Sequence, residues 1–421
     1  MKVNKNERTI VMKKLISLIL ALLMILPVLA ACDKTTSDET ADTTPPADTT
    51  VEETSIPEAS GLLLVSGGLS DYVIVRPSDC QSFIVDAMQD FRKLVETKYG
   101  INLKPQDDWV KGIKEGDVYD SEAPEILIGA TNRRESAEVF ATLKEGEYKI
   151  CVVGNKLVLI GTTDYLTAKA VEAFMSYVED ADSAELAVAS DYTVLKSQED
   201  FNMMLSGITM YAMGDSYFGG SDLGKEGTWV NLLGNKYAMD FINYGIGGST
   251  MSDYVTTNNP MVVRYKSMKK GDADIILLEG GRNDRTKEVP IGDFESRDSK
   301  TFMGSINIML DGMLETYPNA LIILVTPWYH TGKVAATGLS NVDYANAMRD
   351  LAEYRNDKRI VCLYAADPST IGVNMNDESF RTKYCIKPTD VSHLNAEGMK
   401  YVLPYMEQFI AAEYAKFKGT N

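Results

Sequence analysis

The chain has 421 residues, 45% of them apolar, with 60 acidic against 42 basic side chains and a formal net charge of −18. That length favours two domains over one, and the apolar fraction is ordinary for a globular protein. The acidity argues against a nucleic-acid partner, because the phosphate backbone needs a basic surface.

The first residues read as an export segment. Lys13 and Lys14 precede an apolar run from Leu15 to Ala31, with Pro27 and small residues before Cys32. A run of this length is also compatible with an uncleaved membrane anchor, but its flanks favour a cleaved secretory signal. Met12 is an alternative start. The tetrapeptide Leu29-Ala30-Ala31-Cys32 resembles a bacterial lipobox. The resemblance implies lipidation of Cys32, residues 1–32 as the signal, and an extracytoplasmic lipoprotein of the cell envelope anchored to a membrane. Residues 33–60 are rich in Thr, Asp, Glu, Pro and Ser. Too little apolar surface is available there to offset ordering entropy, so an extended tether is expected.

Four further cysteines remain, Cys80, Cys151, Cys362 and Cys385. In an exported protein an even number permits disulfides. Cys151 and Cys362 sit in apolar β-like runs, where a free thiol behaves as a small hydrophobe. The spacings match no disulfide framework and suggest no metal cluster.

Residues 61–200 carry mixed α and β patterns. Strands are expected at Tyr72 to Val75, Glu125 to Gly129, Tyr148 to Val153 and Lys156 to Gly161, the last two joined by a Gly154-Asn155 turn. Helices are expected from Phe83 to Tyr99, ended by Gly100, and from Tyr165 to about Val178. The stretches Glu125-Ile126-Leu127-Ile128-Gly129-Ala130-Thr131-Asn132-Arg133 and Gly154 to Gly161 resemble the small α/β domain that precedes the catalytic domain of β-hexosaminidases. That resemblance implies a smaller accessory α+β domain without catalytic residues.

Residues 201–421 alternate strand and helix, the pattern of a parallel sheet covered on both faces. Short apolar runs mark strands at Ile208 to Met213, Phe241 to Tyr244, Ile275 to Leu278, Leu321 to Val325 and Ile360 to Tyr364. Helices are expected around Thr228 to Tyr237, Met303 to Thr316, Val342 to Arg355 and Ala396 to Lys416, with Asn341 or Asn395 as caps. Five such strands with crossover helices give a flavodoxin-like three-layer α/β/α sandwich.

Ligands of open parallel sheets bind at the C-terminal strand ends. Gly214-Asp215-Ser216, Asn243 to Gly248, and Gly281 to Asp284 follow the first three strands directly. A serine hydroxyl needs a base to take its proton. The whole chain has two histidines, His330 and His393. Only His393 has an aspartate, Asp390, three residues before it, placed to fix the imidazole tautomer and to stabilise its protonated form. The backbone N–H groups of Ser216 and Gly248 and the side-chain amide of Asn283 are candidate donors to an oxyanion. His330 follows the fourth strand in Thr326-Pro327-Trp328-Tyr329-His330. Trp328 and His330 are therefore possible substrate contacts, although aromatic residues there also suit plain loop packing. The polar loop from Arg285 to Lys300 is a possible cleft wall.

These blocks together resemble the SGNH hydrolases, the GDSL esterases and lipases. Gly214-Asp215-Ser216, Asn243-x-Gly245-x-x-Gly248, Gly281-x-Asn283-Asp284 and Asp390-x-x-His393 occur in family order. Leu394-Asn395-Ala396-Glu397-Gly398 is a common continuation. Tyr217 stands where Leu is more usual. The resemblance implies Ser216, His393 and Asp390 as the catalytic triad, Ser216, Gly248 and Asn283 as the oxyanion hole, and no cofactor or metal. The expected function is a cell-surface serine esterase acting on an acylated small molecule or polysaccharide. The accessory domain and export signal point to removal of O-acetyl groups from a carbohydrate. The alternatives are a lipid or simple-ester hydrolase, or a non-catalytic glycan-binding lipoprotein.

Overall fold

The computed structural model describes residues 61–419, apart from 115, 200, 257 and 258. The expected export segment with Cys32 and the expected tether lie outside the described residues. No helix among those described is long and apolar enough to cross a membrane. The chain divides into two compact units, one ending at Gln198 and the other beginning at Glu199.

Among the described residues the N-terminal unit has eight strands: β1 (Gly61–Val65), β2 (Val73–Arg76), β3 (Lys104–Asp107), β4 (Glu125–Ile128), β5 (Glu147–Val153), β6 (Lys156–Gly161), β7 (Leu186–Ala189) and β8 (Thr193–Ser197). Six of them form a mixed sheet in the order β3-β2-β4-β6-β5-β8, while β1 and β7 make a separate antiparallel pair. β5 and β6 form the expected hairpin, with Val153 opposite Lys156 and Gly154 at φ +60°. Helices Ser82–Tyr99 and Asp164–Asp180 pack together, with Phe91 edge-on to Phe174 at 5.7 Å. Sequence periodicity did not reveal β3, because Lys104–Asp107 is exposed along its whole length. Nor did it reveal a buried ion cluster: Arg133 binds Glu125 at 2.8 Å, and Lys156 reaches Glu125 at 3.3 Å and Glu135 at 3.1 Å.

The C-terminal unit is built on β9 (Thr209–Met213), β10 (Asp240–Asn243), β11 (Ile275–Glu279), β12 (Leu321–Val325) and β13 (Ile360–Leu363). All pair in parallel, in the order β10-β9-β11-β12-β13. Side chains alternate across a strand. Tyr211, Met213, Ile276, Leu278, Ile322 and Leu324 face one core, shared with helices Phe302–Thr316 and Asn341–Arg355. Met210, Ala212, Ile275, Leu277, Leu321 and Ile323 are equally buried and point the other way. Helices Trp229–Lys236 and Ala396–Gly419 pack on each other, and the latter touches β12. The result is the flavodoxin-like three-layer sandwich. Burial on both faces is why the central strands β11 and β12 are short, almost wholly apolar runs, whereas the edge strand β10 is only half-buried.

One of the two expected caps differs. Asn341 is the first residue inside its helix; Ser340 is the cap, its N–H donating to Asp343 at 2.7 Å. Asn395 does act at a helix start, its side-chain oxygen accepting from Gly398 N–H at 2.9 Å. Cys80, Cys151, Cys362 and Cys385 are all free, and burial pushes the Cys362 and Cys385 thiols up to about 12.

Candidate active site

In strand order β10-β9-β11, the chain leaves β9 first towards one neighbour and later towards the other. The crevice outside the end of β9 is therefore the sheet's topological switch point, where ligands of such sheets bind. Parallel register pairs Met213 with Leu278 and Ala212 with Asn243, so the three strands end level. The loops beginning at Gly214, Tyr244 and Gly280 emerge side by side at this edge.

Ser216 opens the short helix Ser216–Gly219, capped by Asp215, whose carboxylate accepts from Tyr217 N–H at 2.9 Å. The Ser216 hydroxyl lies 3.0 Å from His393 Nε2. His393 Nδ1 lies 3.0 Å from Asp390 Oδ2. The other Asp390 oxygen accepts from the N–H of Ser392 at 2.8 Å and of His393 at 3.0 Å. Burial pushes the Asp390 carboxyl up, but these N–H groups and the imidazole outweigh it and hold the group below the usual carboxylate range. One carboxylate thus fixes both the loop and the ring. Serine, histidine and aspartate form one continuous relay assembled from two ends of the domain.

Gly248 sits at φ +78°, a left-handed conformation that glycine adopts without strain. The N–H groups of Ser216 and Gly248 have no hydrogen-bond partner among the described residues. Asn283 joins the cluster, but both amide hydrogens are directed elsewhere: to Asp215 Oδ2 at 2.8 Å and to the Ser249 carbonyl at 3.0 Å. The site therefore offers two open backbone donors, and Asn283 becomes a third only by releasing one of these bonds. Gly245 is required for a different reason. A Cβ there would lie 2.5 Å from Gly219 N and from the Phe218 carbonyl carbon. Its absence lets the loop after β10 lie directly against the turn bearing Ser216. Asn243 locks that contact by donating to Phe218 O at 2.7 Å and accepting from Gly245 N–H at 2.8 Å.

Beneath the site lies a buried polar layer that sequence reasoning missed. Asp215, Glu279 and Asp284 have no exposed surface. Glu279 accepts the Asp215 N–H at 3.0 Å. Burial raises the Asp215 carboxyl, and burial together with the Asp215 charge raises Glu279 well above the usual range. Of the two, Glu279 is pushed further towards its protonated form. Asp284 accepts the N–H groups of Met251 at 2.9 Å and Ser252 at 3.2 Å, and burial pushes it up to about 7. Arg264 crosses under the loops, donating to Gly214 O at 2.7 Å and to the Ser249 hydroxyl at 2.9 Å, and burial lowers it to about 10. A glutamate closing an otherwise apolar strand was the available signal for Glu279. Arg264 had none, because it bonds mainly to backbone carbonyls.

The structure corrects one expected substrate contact. Trp328 is 1% exposed and stacks on Tyr217 with ring centroids 4.9 Å apart. No sugar can reach its face, and it packs the loop. Tyr217 in turn stands edge-on to His393 at 6.5 Å, so this aromatic pair backs the imidazole. His330 is half-buried at the same edge, with Arg285 3.4 Å from its Nδ1. Burial, then Arg285, Arg282 and Arg381, lower its pKa. It stays neutral, accepting at Nδ1, and is not in the serine relay. The segment 285–300 is anchored where Asn307 donates to Phe294 O at 2.8 Å and where Asp253 N–H donates to Ser299 O at 3.0 Å.

Residues 212–401 match the GDSL-like Lipase/Acylhydrolase family. Among solved structures, a Lactobacillus plantarum protein is 21% identical and is matched over 49% of this chain and 98% of its own, with a TM-score of 0.42. A psychrotrophic esterase from a Pseudoalteromonas species is 17% identical over 48% of this chain and 97% of its own, with a TM-score of 0.35. A member of the lipolytic G-D-S-L family from Veillonella parvula is 14% identical over 48% and 96%, with a TM-score of 0.34. No curated protein matches the chain significantly. The matched segment, residues 212–401, holds Ser216, Gly248, Asn283, Asp390 and His393.

Proposed function

We propose that the protein is an envelope-anchored serine esterase that removes O-acetyl groups from a carbohydrate. The observation that carries the catalytic part is the unbroken chain from Ser216 through His393 to Asp390, with 3.0 Å at each link. Asp390 accepts the Nδ1 proton of His393, which leaves Nε2 free to take the proton of the Ser216 hydroxyl as it attacks the ester carbonyl. The tetrahedral oxyanion forms beside the open N–H groups of Ser216 and Gly248. Asn283 would join as negative charge develops there and competes with the Ser249 carbonyl for its amide. Collapse expels the alcohol, protonated by His393, and leaves an acyl-serine. Water enters, His393 removes its proton, and the second tetrahedral intermediate releases the acid. Each proton has a donor and an acceptor within the relay.

The carbohydrate part rests on the composition of the chain: an N-terminal domain resembling that of β-hexosaminidases, and a lipoprotein-like export signal ending at Cys32. A glycan outside the cytoplasm is the substrate that suits both. The experiment is acetate release by the full chain from p-nitrophenyl acetate and from acetylated polysaccharides, comparing wild type with Ser216→Ala. Release that disappears with Ser216 and is strongest on one glycan supports the reading. Serine-dependent release from the aryl ester alone removes the glycan. Labelling by an organophosphonate independent of Ser216 removes the nucleophile. Continued membrane association after Cys32→Ser removes the lipid anchor.

A further inference from the structure

Against a net charge of −18, the rim of the active site is cationic. Arg282 and Arg285 lie on the short helix Arg282–Thr286 that follows β11, and Arg381 on the helix Glu378–Tyr384. Two hydrogen bonds bring these segments towards His330: Met375 N–H donates to Tyr329 O at 3.0 Å, and the Arg381 guanidinium donates to Met375 O at 2.8 Å. Arg285 reaches both His330 and the Gly332 carbonyl, the latter at 2.7 Å. Arg282 Nε donates to the Ser392 hydroxyl at 2.7 Å, one residue from His393.

None of the three guanidinium groups has a carboxylate within ion-pair distance among the described residues. Their partners are carbonyls, hydroxyls and an imidazole. Arg285 is 8% exposed, yet its Nε has no hydrogen-bond partner. A buried guanidinium is normally paired, because desolvation without a counterion is costly. Here the like charges also gather around one neutral histidine, which can donate only from Nε2. The Asp215 charge acts on Arg282 and the Asp377 charge on Arg381, whereas Arg285 has no such carboxylate, and an anion entering beside it would supply the missing partner. Planar forked donors fit a carboxylate or sulfate in particular.

The position indicates which half of the substrate bears the charge. The acyl carbonyl belongs beside the open N–H groups of Ser216 and Gly248. The alcohol leaves towards His393, which protonates it, and Arg282 is bonded to the residue next to that histidine.

We propose that Arg282, Arg285, Arg381 and His330 form a subsite for an anionic group, a carboxylate or a sulfate, on the alcohol half of the ester; this rests on the reading of Ser216 as nucleophile. The substrate class becomes an acylated acidic sugar rather than a neutral one.

The test uses the full chain and three aryl acetates with the same acyl group: 4-acetoxybenzoate, 4-acetoxybenzenesulfonate and the neutral methyl 4-acetoxybenzoate. The quantity is the ratio of kcat/KM for each anionic ester to that for the neutral one, which cancels any general loss of activity. Arg282→Gln and Arg381→Gln should each lower that ratio by about tenfold, mainly through KM, as expected for loss of one charge-assisted contact. Arg282→Lys should retain part of it, and added salt should lower it in wild type more than in the variants. A larger effect on the benzoate assigns a carboxylate; a larger one on the sulfonate assigns a sulfate. A ratio unchanged in both glutamine variants overturns the subsite. Hydrolysis that survives Ser216→Ala removes the nucleophile and the subsite with it. Polysaccharides left intact while the ratio still responds would remove the glycan reading and leave the subsite standing.

Discussion

The relay makes a sharp prediction for Asp390→Asn, because the two oxygens of Asp390 do separate work. Oδ1 holds the N–H groups of Ser392 and His393 at 2.8 and 3.0 Å, and an asparagine oxygen can keep both bonds. Oδ2 faces His393 Nδ1 at 3.0 Å, and the substituted amide would present hydrogens there instead. The imidazole must then accept at Nδ1 and carry its proton on Nε2, the nitrogen 3.0 Å from Ser216. A protonated Nε2 cannot take the serine proton. Loop geometry should survive while turnover falls by about 10⁴. That factor corresponds to about 5 kcal/mol of transition-state stabilisation. The unfolding midpoint should barely move, since the backbone bonds persist. Asp390→Ala, which loses all three bonds, should lower stability as well as rate. Steady-state kinetics and thermal unfolding of the two variants provide the assay. A kcat for Asp390→Asn within about tenfold of wild type would refute the assigned relay, since a wrong tautomer cannot support that rate.

Three other perturbations test the layers around the site. Asp284 has its carboxyl raised to about 7 in the folded state. Between its ordinary pKa and that value the unfolded chain releases this proton while the folded chain retains it. Its effect therefore grows as destabilisation while pH rises through that window, and levels off above about 7, reaching about 4 kcal/mol. The stability of wild type relative to Asp284→Asn should fall by that amount from pH 4 to pH 8. Urea unfolding followed by tryptophan fluorescence reads this, because Trp229 and Trp328 are both in the C-terminal unit; parallel pH profiles would contradict it. Gly245→Ala places a methyl group 2.5 Å from fixed backbone atoms of the Ser216 turn, so about 1–3 kcal/mol of stability and much of kcat should be lost; unaltered kinetics would mean the turn is not held there. Glu125→Ala strands buried Arg133 and Lys156 and should cost the N-terminal unit about 3–5 kcal/mol in chemical denaturation, an unchanged midpoint being the contrary result.

What could be read from the sequence, and what could not, divides along physical lines. The C-terminal sheet was legible because strands buried on both faces must be short apolar runs, and Leu321–Val325 is apolar throughout. Ser216, Gly248, Asn283, Asp390 and His393 were legible because polar and glycine residues immediately follow such runs or recur in a known motif. The exposed strand Lys104–Asp107 was not, since an edge strand held by backbone pairing imposes no apolar pattern. Sequence alone leaves Trp328 open between substrate contact and loop packing, because its burial depends on Tyr217, which is distant in sequence and adjacent in space.

The same limit explains the arginines at the rim. Arg264 and Arg381 bond to carbonyl groups, which every residue supplies, so no neighbouring side chain announces their role. Arg264 finds enough carbonyl and hydroxyl partners to act as a strut beneath the loops. Arg285 does not, for its Nε remains buried and unpaired. Burial lowers the pKa of both groups, but Arg264 has the Asp215 and Glu279 charges beside it whereas Arg285 has none and faces Arg282 instead. A complementary group supplied from outside is what distinguishes a binding cation from a structural one. The difference between Arg264 and Arg285 therefore lies in unmet hydrogen bonds, a property of three-dimensional placement that no residue type or spacing encodes.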